Sequence, residues 1–204
     1  MIRSFLIVIV LVSSQLLQAS TNNNGAILIL GDSISSAYGL AEKSGWVSLL
    51  DTKVTQEKKP YQVINASISG DTTINGLNRL QDLLEKYRPK IVVIELGGND
   101  GLRGLSIKMM ELNFQKMIEL CQQYNARVLL AGMKIPPNYG KRYTQAFYQV
   151  YSDLAKNNNI QLIPFILEDV GGVPELMQAD GIHPNEQAQA IILNTVWKKL
   201  QSML

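Results

Sequence analysis

Runs of apolar residues alternate with amphipathic stretches along most of this chain. The runs are short, rich in Ile, Val and Leu, and bounded by turn residues. They cover residues 26–30, 61–66, 91–96 and 128–133, with a shorter one around 162–163. Continuous apolar runs of this length predict strands that are buried on both faces, as in a parallel sheet.

Between these runs, apolar residues recur every three or four positions, which predicts amphipathic helices. In the first, Leu77, Leu80 and Leu84 share one face, and Pro89 follows as a stop signal. The predicted helices cover residues 74–87, 107–124, 141–156 and 185–200. The alternation of strands and helices predicts an α/β fold, a three-layer doubly wound parallel sheet in a single domain over residues 26–204.

The first residues have the pattern of a secretory signal peptide. Arg3 supplies a positive charge, an apolar run covers residues 5–12, and small residues precede a polar segment that begins at Thr21. The run is shorter than the roughly 20 apolar residues that a lasting transmembrane helix needs. We therefore predict a signal peptide over residues 1–19, Sec-type export to the periplasm or the medium, and no stable membrane anchor. The alternative is an uncleaved anchor, because Leu17 stands near the cleavage site where a small residue is usual.

Charge and residue counts narrow the possible chemistry. The chain has 19 Lys and Arg residues, 17 Asp and Glu residues and a net charge of +2, without a basic block or an acidic tail. This balance gives no reason to expect a nucleic-acid partner, so the expected ligand is a small, largely apolar molecule. Cys121 is the only cysteine and His183 the only histidine, which excludes an internal disulfide and a clustered-histidine metal site. We expect a monomer that needs no metal.

Polar residues follow several of the predicted strands, at the edge where open parallel sheets bind their ligands. Ser33 follows the first strand, Gly70 the second and Asn99 the third, while Asp180 and His183 lie beyond the last. Four separate segments are thus expected to meet at one edge of the sheet.

Ser33 and His183 are candidates for nucleophilic catalysis. A serine hydroxyl becomes a useful nucleophile when a base takes its proton, and a tight turn after a buried strand can expose its oxygen beside such a base. The three-residue separation of Asp180 and His183 allows one turn, permitted by Gly181, to bring the carboxylate onto the imidazole. The alternative is that Ser33 caps a helix and that Asp180 is a cap beside a surface histidine. The solitary status of His183 favours the catalytic interpretation.

Two further segments are candidates for an oxyanion hole, which needs hydrogen-bond donors fixed where negative charge develops. Gly70 ends the second strand segment, where a backbone N–H can approach a substrate closely, and Asn99 offers a side-chain amide in a glycine-rich turn. The alternatives are an ordinary turn at Gly70 and an Asx turn at Asn99.

These four segments, in this order, resemble the SGNH or GDSL hydrolase family. The resemblance covers residues 26–202 and is most specific at 65–72, 95–104 and 180–185. It implies a flavodoxin-like fold, no cofactor and no metal. It also implies Ser33 as nucleophile, His183 as base, Asp180 as its orienting group, and an oxyanion hole formed by the N–H groups of Ser33 and Gly70 and the amide of Asn99. Ile34 stands where the family usually has Leu, which changes only the shape of the side chain.

The resemblance implies a serine esterase that hydrolyses acyl esters and thioesters, including aryl esters, acyl-CoA and lysophospholipids. Two alternatives remain, a carbohydrate O-acetyl esterase and a non-catalytic lipid-binding or glycan-binding module on the same fold. Two loops are expected to border the acyl groove; their candidate residues are Gly101, Leu102, Arg103, Ile135, Pro136 and Tyr139. Asp32 is expected to fix the turn beside Ser33, and Glu95 to have a hydrogen-bonded structural role.

Overall fold

A computed structural model describes residues 25–204, so the predicted signal peptide lies outside the described residues. Five parallel strands form one sheet in the order β2-β1-β3-β4-β5. The strands are β1 (Ala26–Gly31), β2 (Gln62–Asn65), β3 (Ile91–Glu95), β4 (Arg127–Ala131) and β5 (Gln161–Ile163). This order is that of flavodoxin-like doubly wound sheets, which confirms the predicted fold class.

Helices cover both faces of the sheet. They are α1 (Trp46–Gln56), α2 (Thr73–Tyr87), α3 (Gly98–Leu102), α4 (Ile107–Gln123), α5 (Lys141–Asn158) and α6 (Gln189–Leu200). The crossover from β1 to β2 runs towards one edge of the sheet, and the crossovers to β3, β4 and β5 all run towards the other edge. Because such crossovers are right-handed, α1 lies on one face and α2, α4 and α5 on the other. α6 packs beside α1, which completes the three layers.

The core is centred on β1 and β3, whose residues are all buried. Large side chains from the helices fill the two layers beside them, including Trp46 from α1, Phe114 from α4, and Phe147 and Tyr151 from α5. Burial of a side chain such as Phe114 or Phe147 stabilises the fold by roughly 1.5–3 kcal/mol. Within residues 25–204, no helix is both long and apolar enough to cross a bilayer.

Several elements differ from the sequence-based prediction. β2 is only half buried, because it lies at the edge of the sheet and has a strand on one side only. The predicted helix over residues 185–200 begins with a short 3-10 turn at Glu186–Ala188, and Asn185 accepts a hydrogen bond from the N–H of Gln187 there. The sequence around Trp46 has a helical pattern without predicted bounds; the structure places Trp46 at the start of α1, where it is fully buried. Asn99, expected in a glycine-rich turn, lies in the short helix α3.

Candidate active site

The chain turns sharply as it leaves β1, and this turn positions Ser33. The Ser36 N–H donates to the Asp32 carbonyl at 3.0 Å, and the Ile34 N–H donates to Asp32 Oδ1 at 3.1 Å. Asp32 thereby fixes the turn with both its main chain and its side chain. Ser33 is left half-buried at the carboxyl edge, and its Oγ lies 2.9 Å from Nε2 of His183.

The Asp180–His183 segment forms a compact turn of its own. Asp180 Oδ1 accepts hydrogen bonds from the N–H groups of Ile182 and His183, each at 2.9 Å. Asp180 Oδ2 lies 2.6 Å from Nδ1 of His183. Gly181 has a φ of 65°, a left-handed conformation that glycine adopts without the usual steric cost. One carboxylate therefore holds both the main chain and the imidazole of the segment.

These hydrogen bonds also set the charge of Asp180. Donation from the His183 N–H, and then from the His183 ring, lowers the pKa of Asp180 from 3.8 to about 2. The carboxylate is ionised at any pH near neutrality and can stabilise a positive charge that forms on the ring. With Nδ1 directed at Asp180, Nε2 is the ring nitrogen that faces Ser33. Asp180, His183 and Ser33 thus form a continuous chain of contacts.

Asn99 and Gly70 lie at the same edge but are held in different ways. The Asn99 amide Nδ2 donates to the main-chain carbonyl of Asp71 at 3.0 Å and to Oδ2 of Asp32 at 3.1 Å. An oxyanion must therefore share an N–H that already has a partner. Gly70 has a φ of 84°, and its carbonyl accepts a hydrogen bond from Arg103 at 2.9 Å.

Two buried carboxyl groups lie beneath the turn at Ser33. Desolvation raises the pKa of Asp32 to about 6, against the opposing hydrogen bonds from Ile34 and Asn99. Glu95 is completely buried at the end of β3, and desolvation followed by the nearby Asp32 raises its pKa well above the usual value. Glu95 Oε2 accepts a hydrogen bond from Ser35 Oγ at 2.6 Å, which ties β3 to the turn.

A cavity of about 590 Å³ opens beside Ser33 and His183. Of the predicted groove residues, Leu102, Ile135 and Pro136 line it. Gly101, Arg103 and Tyr139 do not appear among its described lining residues. Gly101 lies beneath Ile135 and Phe147, Arg103 points to the Gly70 carbonyl, and the Tyr139 hydroxyl donates to the Leu102 carbonyl at 2.7 Å.

Much of the cavity wall was not found from the sequence. Beyond β4 the wall continues with Met133 and Lys134, and beyond β5 it is formed by Phe165, Leu167 and Met177. The apolar residues after β5 could have been noticed as a group, but which side chains face the cavity depends on irregular loops. Among residues 25–204 there is no group of three or more His, Cys, Asp or Glu side chains that could hold a metal ion.

A serine, an imidazole and a carboxylate in series, beside an apolar cavity, form the site of a serine hydrolase. The chain belongs to the GDSL-like lipase/acylhydrolase family, which matches residues 29–191. This match confirms the family resemblance inferred from the sequence.

Individual relatives are similar over most of their length. The chain is 49% identical to esterase TesA of Pseudomonas aeruginosa over 87% of this chain and 89% of that protein. It is 43% identical to the thioesterase 1/protease 1/lysophospholipase L1 of Escherichia coli K12, over 87% of this chain and 84% of that protein. A crystal structure of TesA has a TM-score of 0.86 and 49% identity, and the match covers 88% of this chain and 99% of that one.

Proposed function

We propose that this protein is a serine esterase that hydrolyses acyl esters and thioesters through an acyl-enzyme on Ser33. The observation that carries the proposal is the chain of contacts from Asp180 through His183 to Ser33, at 2.6 and 2.9 Å, at the mouth of the apolar cavity. The names of the relatives, an esterase and a thioesterase/lysophospholipase, support the same chemistry.

The mechanism follows from these contacts. Ser33 Oγ attacks the carbonyl carbon of the substrate while Nε2 of His183 takes the hydroxyl proton. Asp180 stabilises the imidazolium that results. His183 then gives the proton to the departing alcohol or thiol, and an ester forms between the acyl group and Ser33. Water, activated by the same nitrogen, attacks this ester, and the acid leaves as the proton returns to Ser33.

Negative charge develops on the carbonyl oxygen in both steps. The proposed donors are the N–H groups of Ser33 and Gly70 and the Asn99 amide. Asn99 lines the cavity with Ser33, which supports its role. The Asn99 amide donates hydrogen bonds to Asp32 and to the Asp71 carbonyl, so it is oriented before any substrate binds. Preset donors of this kind need little reorganisation as the charge forms.

The cavity favours a long acyl chain over an acetyl group. Its wall includes Ile34, Leu102, Met133, Phe165 and Leu167, all of them apolar. Each methylene that enters such a wall contributes about 0.8 kcal/mol, so affinity should rise with chain length until the cavity is full. The substrates proposed are aryl esters, acyl-CoA and lysophospholipids.

A fluorophosphonate probe tests the nucleophile directly. The folded protein should form a covalent adduct, and mass spectrometry of its peptides should place the adduct on Ser33. The Ser33→Ala variant is the matched control and should remain unlabelled. A folded wild-type protein without label on Ser33 would indicate a non-catalytic lipid-binding or glycan-binding module.

Rates on nitrophenyl esters and acyl thioesters of rising chain length test the substrate class. We expect kcat/KM to increase from acetyl towards medium and long chains. A marked preference for acetyl esters of sugars over these substrates would instead support a carbohydrate O-acetyl esterase.

We further propose that residues 26–204 act as an exported monomeric domain. Export rests on the charged, apolar and small-residue pattern of residues 1–19. One chain supplies Ser33, His183, Asp180 and the cavity, so the proposed reaction needs no residue from a second copy. Cell fractionation and the mass of the purified protein test export and cleavage near Ala19, and analytical ultracentrifugation tests the monomer.

A further inference from the structure

Exposed apolar side chains are distributed very unevenly over this protein. Within residues 25–204, nine large apolar side chains are exposed. All nine lie at the carboxyl edge of the sheet, either in loops that follow strands or in the first two turns of helices. Scattered exposed apolar residues are normal on a protein surface, but their restriction to one edge marks a site of interaction.

The apolar rim, as we call it, comprises six of these side chains from five segments around the cavity mouth: Tyr38, Ile68, Ile74, Leu105, Met109 and Ile182. Met109 is 55% exposed, Tyr38 52% and Ile68 51%. Each exposed side chain would be ordinary alone, but a group of six around one cavity mouth has the character of an interaction site.

Direct contacts join these segments to the proposed active site. The Tyr38 ring packs against the His183 ring with centroids 4.6 Å apart, and Ile182 itself lines the cavity. Ser36 and Ser69 share a hydrogen bond of 2.7 Å, which links the loop of Tyr38 to that of Ile68. The rim therefore begins at the nucleophile and base.

The other side of the mouth is tied together in the same way. Arg103 donates to the Gly70 carbonyl at 2.9 Å, which joins the loop of Leu105 to that of Ile68. The buried Asn113 amide donates to Thr73 Oγ1 at 3.0 Å and so fixes the start of α4, with Met109, beside the start of α2, with Ile74. The segments that carry the apolar rim are thus tied to one another, and the rim adjoins the apolar cavity through Tyr38 and Ile182.

We propose that the apolar rim docks on the surface of an aggregated amphiphile, a micelle or bilayer that contains lysophospholipids. The inference rests on the proposed esterase function and names the physical form in which the substrate is met. Single-chain phospholipids self-associate in water, so their acyl chains must leave an aggregate to enter the cavity. Apolar side chains that enter the aggregate surface bring the cavity mouth to the lipid and shorten that path.

The position of the rim favours a lipid surface over a folded protein partner. A protein seated on the rim would close the cavity mouth beside Ser33 and exclude substrate. A lipid surface covers the same side chains and supplies the acyl chain as well.

The opposite edge of the sheet has a different character, because its cavity is lined by Lys59, Lys86, Arg88 and Lys90. That edge is the competing candidate for binding anionic lipid.

Vesicle binding tests the surface itself. In a Ser33→Ala background, which prevents lipid hydrolysis, co-flotation with zwitterionic phosphatidylcholine vesicles containing lysophosphatidylcholine should recover the protein. Ile74→Gln/Met109→Gln should weaken this partition by at least about fivefold, because it removes exposed apolar area. Ile68→Gln/Leu105→Gln provides a second rim variant should the first be poorly folded. Lys86→Gln/Lys90→Gln is the matched control at the opposite edge and should bind as the parent does.

Kinetics with active Ser33 test the consequence. On a soluble short-chain nitrophenyl ester, the rim variants should keep kcat/KM within about twofold, since neither pair lines the cavity. On lysophosphatidylcholine above its critical micelle concentration, the apparent KM of these variants should rise by at least about fivefold with kcat little changed.

Several results would overturn the inference. In the first, the wild-type protein hydrolyses the soluble ester but does not bind the vesicles, and the rim variants keep full activity on micelles. The proposed function would then stand. Another is loss of vesicle binding in the lysine control alone. A third is a concentration-dependent dimer that the rim variants abolish. Failure to hydrolyse either substrate would count against the proposed function, and vesicle flotation would still decide the role of the rim.

Discussion

The two ends of the sheet have cavities of similar size and opposite chemistry. At the carboxyl edge, a cavity of about 590 Å³ lies beside Ser33 and His183. At the other edge, a cavity of about 630 Å³ is lined by four cationic side chains, Lys59, Lys86, Arg88 and Lys90. The volumes of the two cavities therefore do not show which of them is the active site. The residues that the parallel strands bring to each edge identify the carboxyl edge as the candidate active site.

The direction of the helices accounts for part of this difference. Helices that follow strands of a parallel sheet begin at the carboxyl edge and end at the opposite edge. α1 ends at Gln56 and α2 at Tyr87, so their unpaired carbonyls lie near the cationic cavity. Cations near a helix C-terminus are each favourable by typically 0.3–1 kcal/mol. The basic residues therefore have a structural reason to lie at this edge, so the cationic cavity needs no functional explanation.

The largest expected effect comes from removing the proposed nucleophile or base. Ser33→Ala and His183→Ala should each lower kcat by roughly 10⁴ to 10⁶, because each ends the proton transfer that forms the acyl-enzyme. Steady-state rates on a nitrophenyl ester measure this effect. Because the two residues act as a unit, the double variant should be little worse than either single one. Two moderate and additive losses would contradict a shared mechanism.

A smaller loss is expected at the oxyanion site. Asn99→Ala should lower kcat by about 10² to 10³, since it removes one donor to the developing charge. The measurement compares kcat and KM, and KM should change little. Circular dichroism should confirm that the fold survives the loss of the two Asn99 hydrogen bonds. A decrease of only a few-fold in kcat would remove Asn99 from the proposed oxyanion hole.

The buried acid beside Ser33 should make stability depend on pH. The pKa of Asp32 is about 6 in the folded protein, above its ordinary value of 3.8. Its contribution to stability is therefore complete below about pH 3.8 and is lost as the pH rises through 6, because the folded state must give up a proton that it holds more tightly. The free energy of unfolding, measured with urea, should fall from pH 4 to pH 7 in the wild type, and it should fall less in Asp32→Asn. An equal loss in both proteins would assign the dependence to other groups.

The smallest effect is expected at the cationic edge. Lys86→Gln/Lys90→Gln should leave kcat/KM for a soluble ester within about twofold of the wild-type value, because these residues lie at the far end of the sheet from Ser33. The free energy of unfolding should fall by at most about 2 kcal/mol, because two cations near the end of α2 are removed. A large loss of esterase activity would show that the two edges are coupled.

Local patterns in the sequence were sufficient to predict the central features of this protein. The apolar runs predicted the strands, and their continuity predicted a parallel sheet, because strands between two helical layers have no polar face. The Asp180–His183 spacing also predicted the contact seen between these two side chains, since a single turn decides whether they can meet. The membership of the family, inferred from four short segments, is confirmed.

Other features depend on distant parts of the chain. The half-buried state of β2 follows from its place at the edge, which strand order decides. The partners of the Asn99 amide come from the turn after β1 and from the loop that leads into α2, and Arg103 reaches the Gly70 carbonyl rather than the cavity. No periodicity in the sequence encodes these contacts.

Sequence by itself determined the fold class, the turn that joins Asp180 to His183, and the presence of a serine after the first strand. These properties arise from interactions between residues close together in the chain. Only the tertiary structure decided that Ser33 Oγ lies 2.9 Å from Nε2 of His183, 150 positions away. It also decided which loops form the cavity and that the exposed apolar side chains share its edge. Such distances depend on how helices and strands pack, and packing is a property of the whole domain.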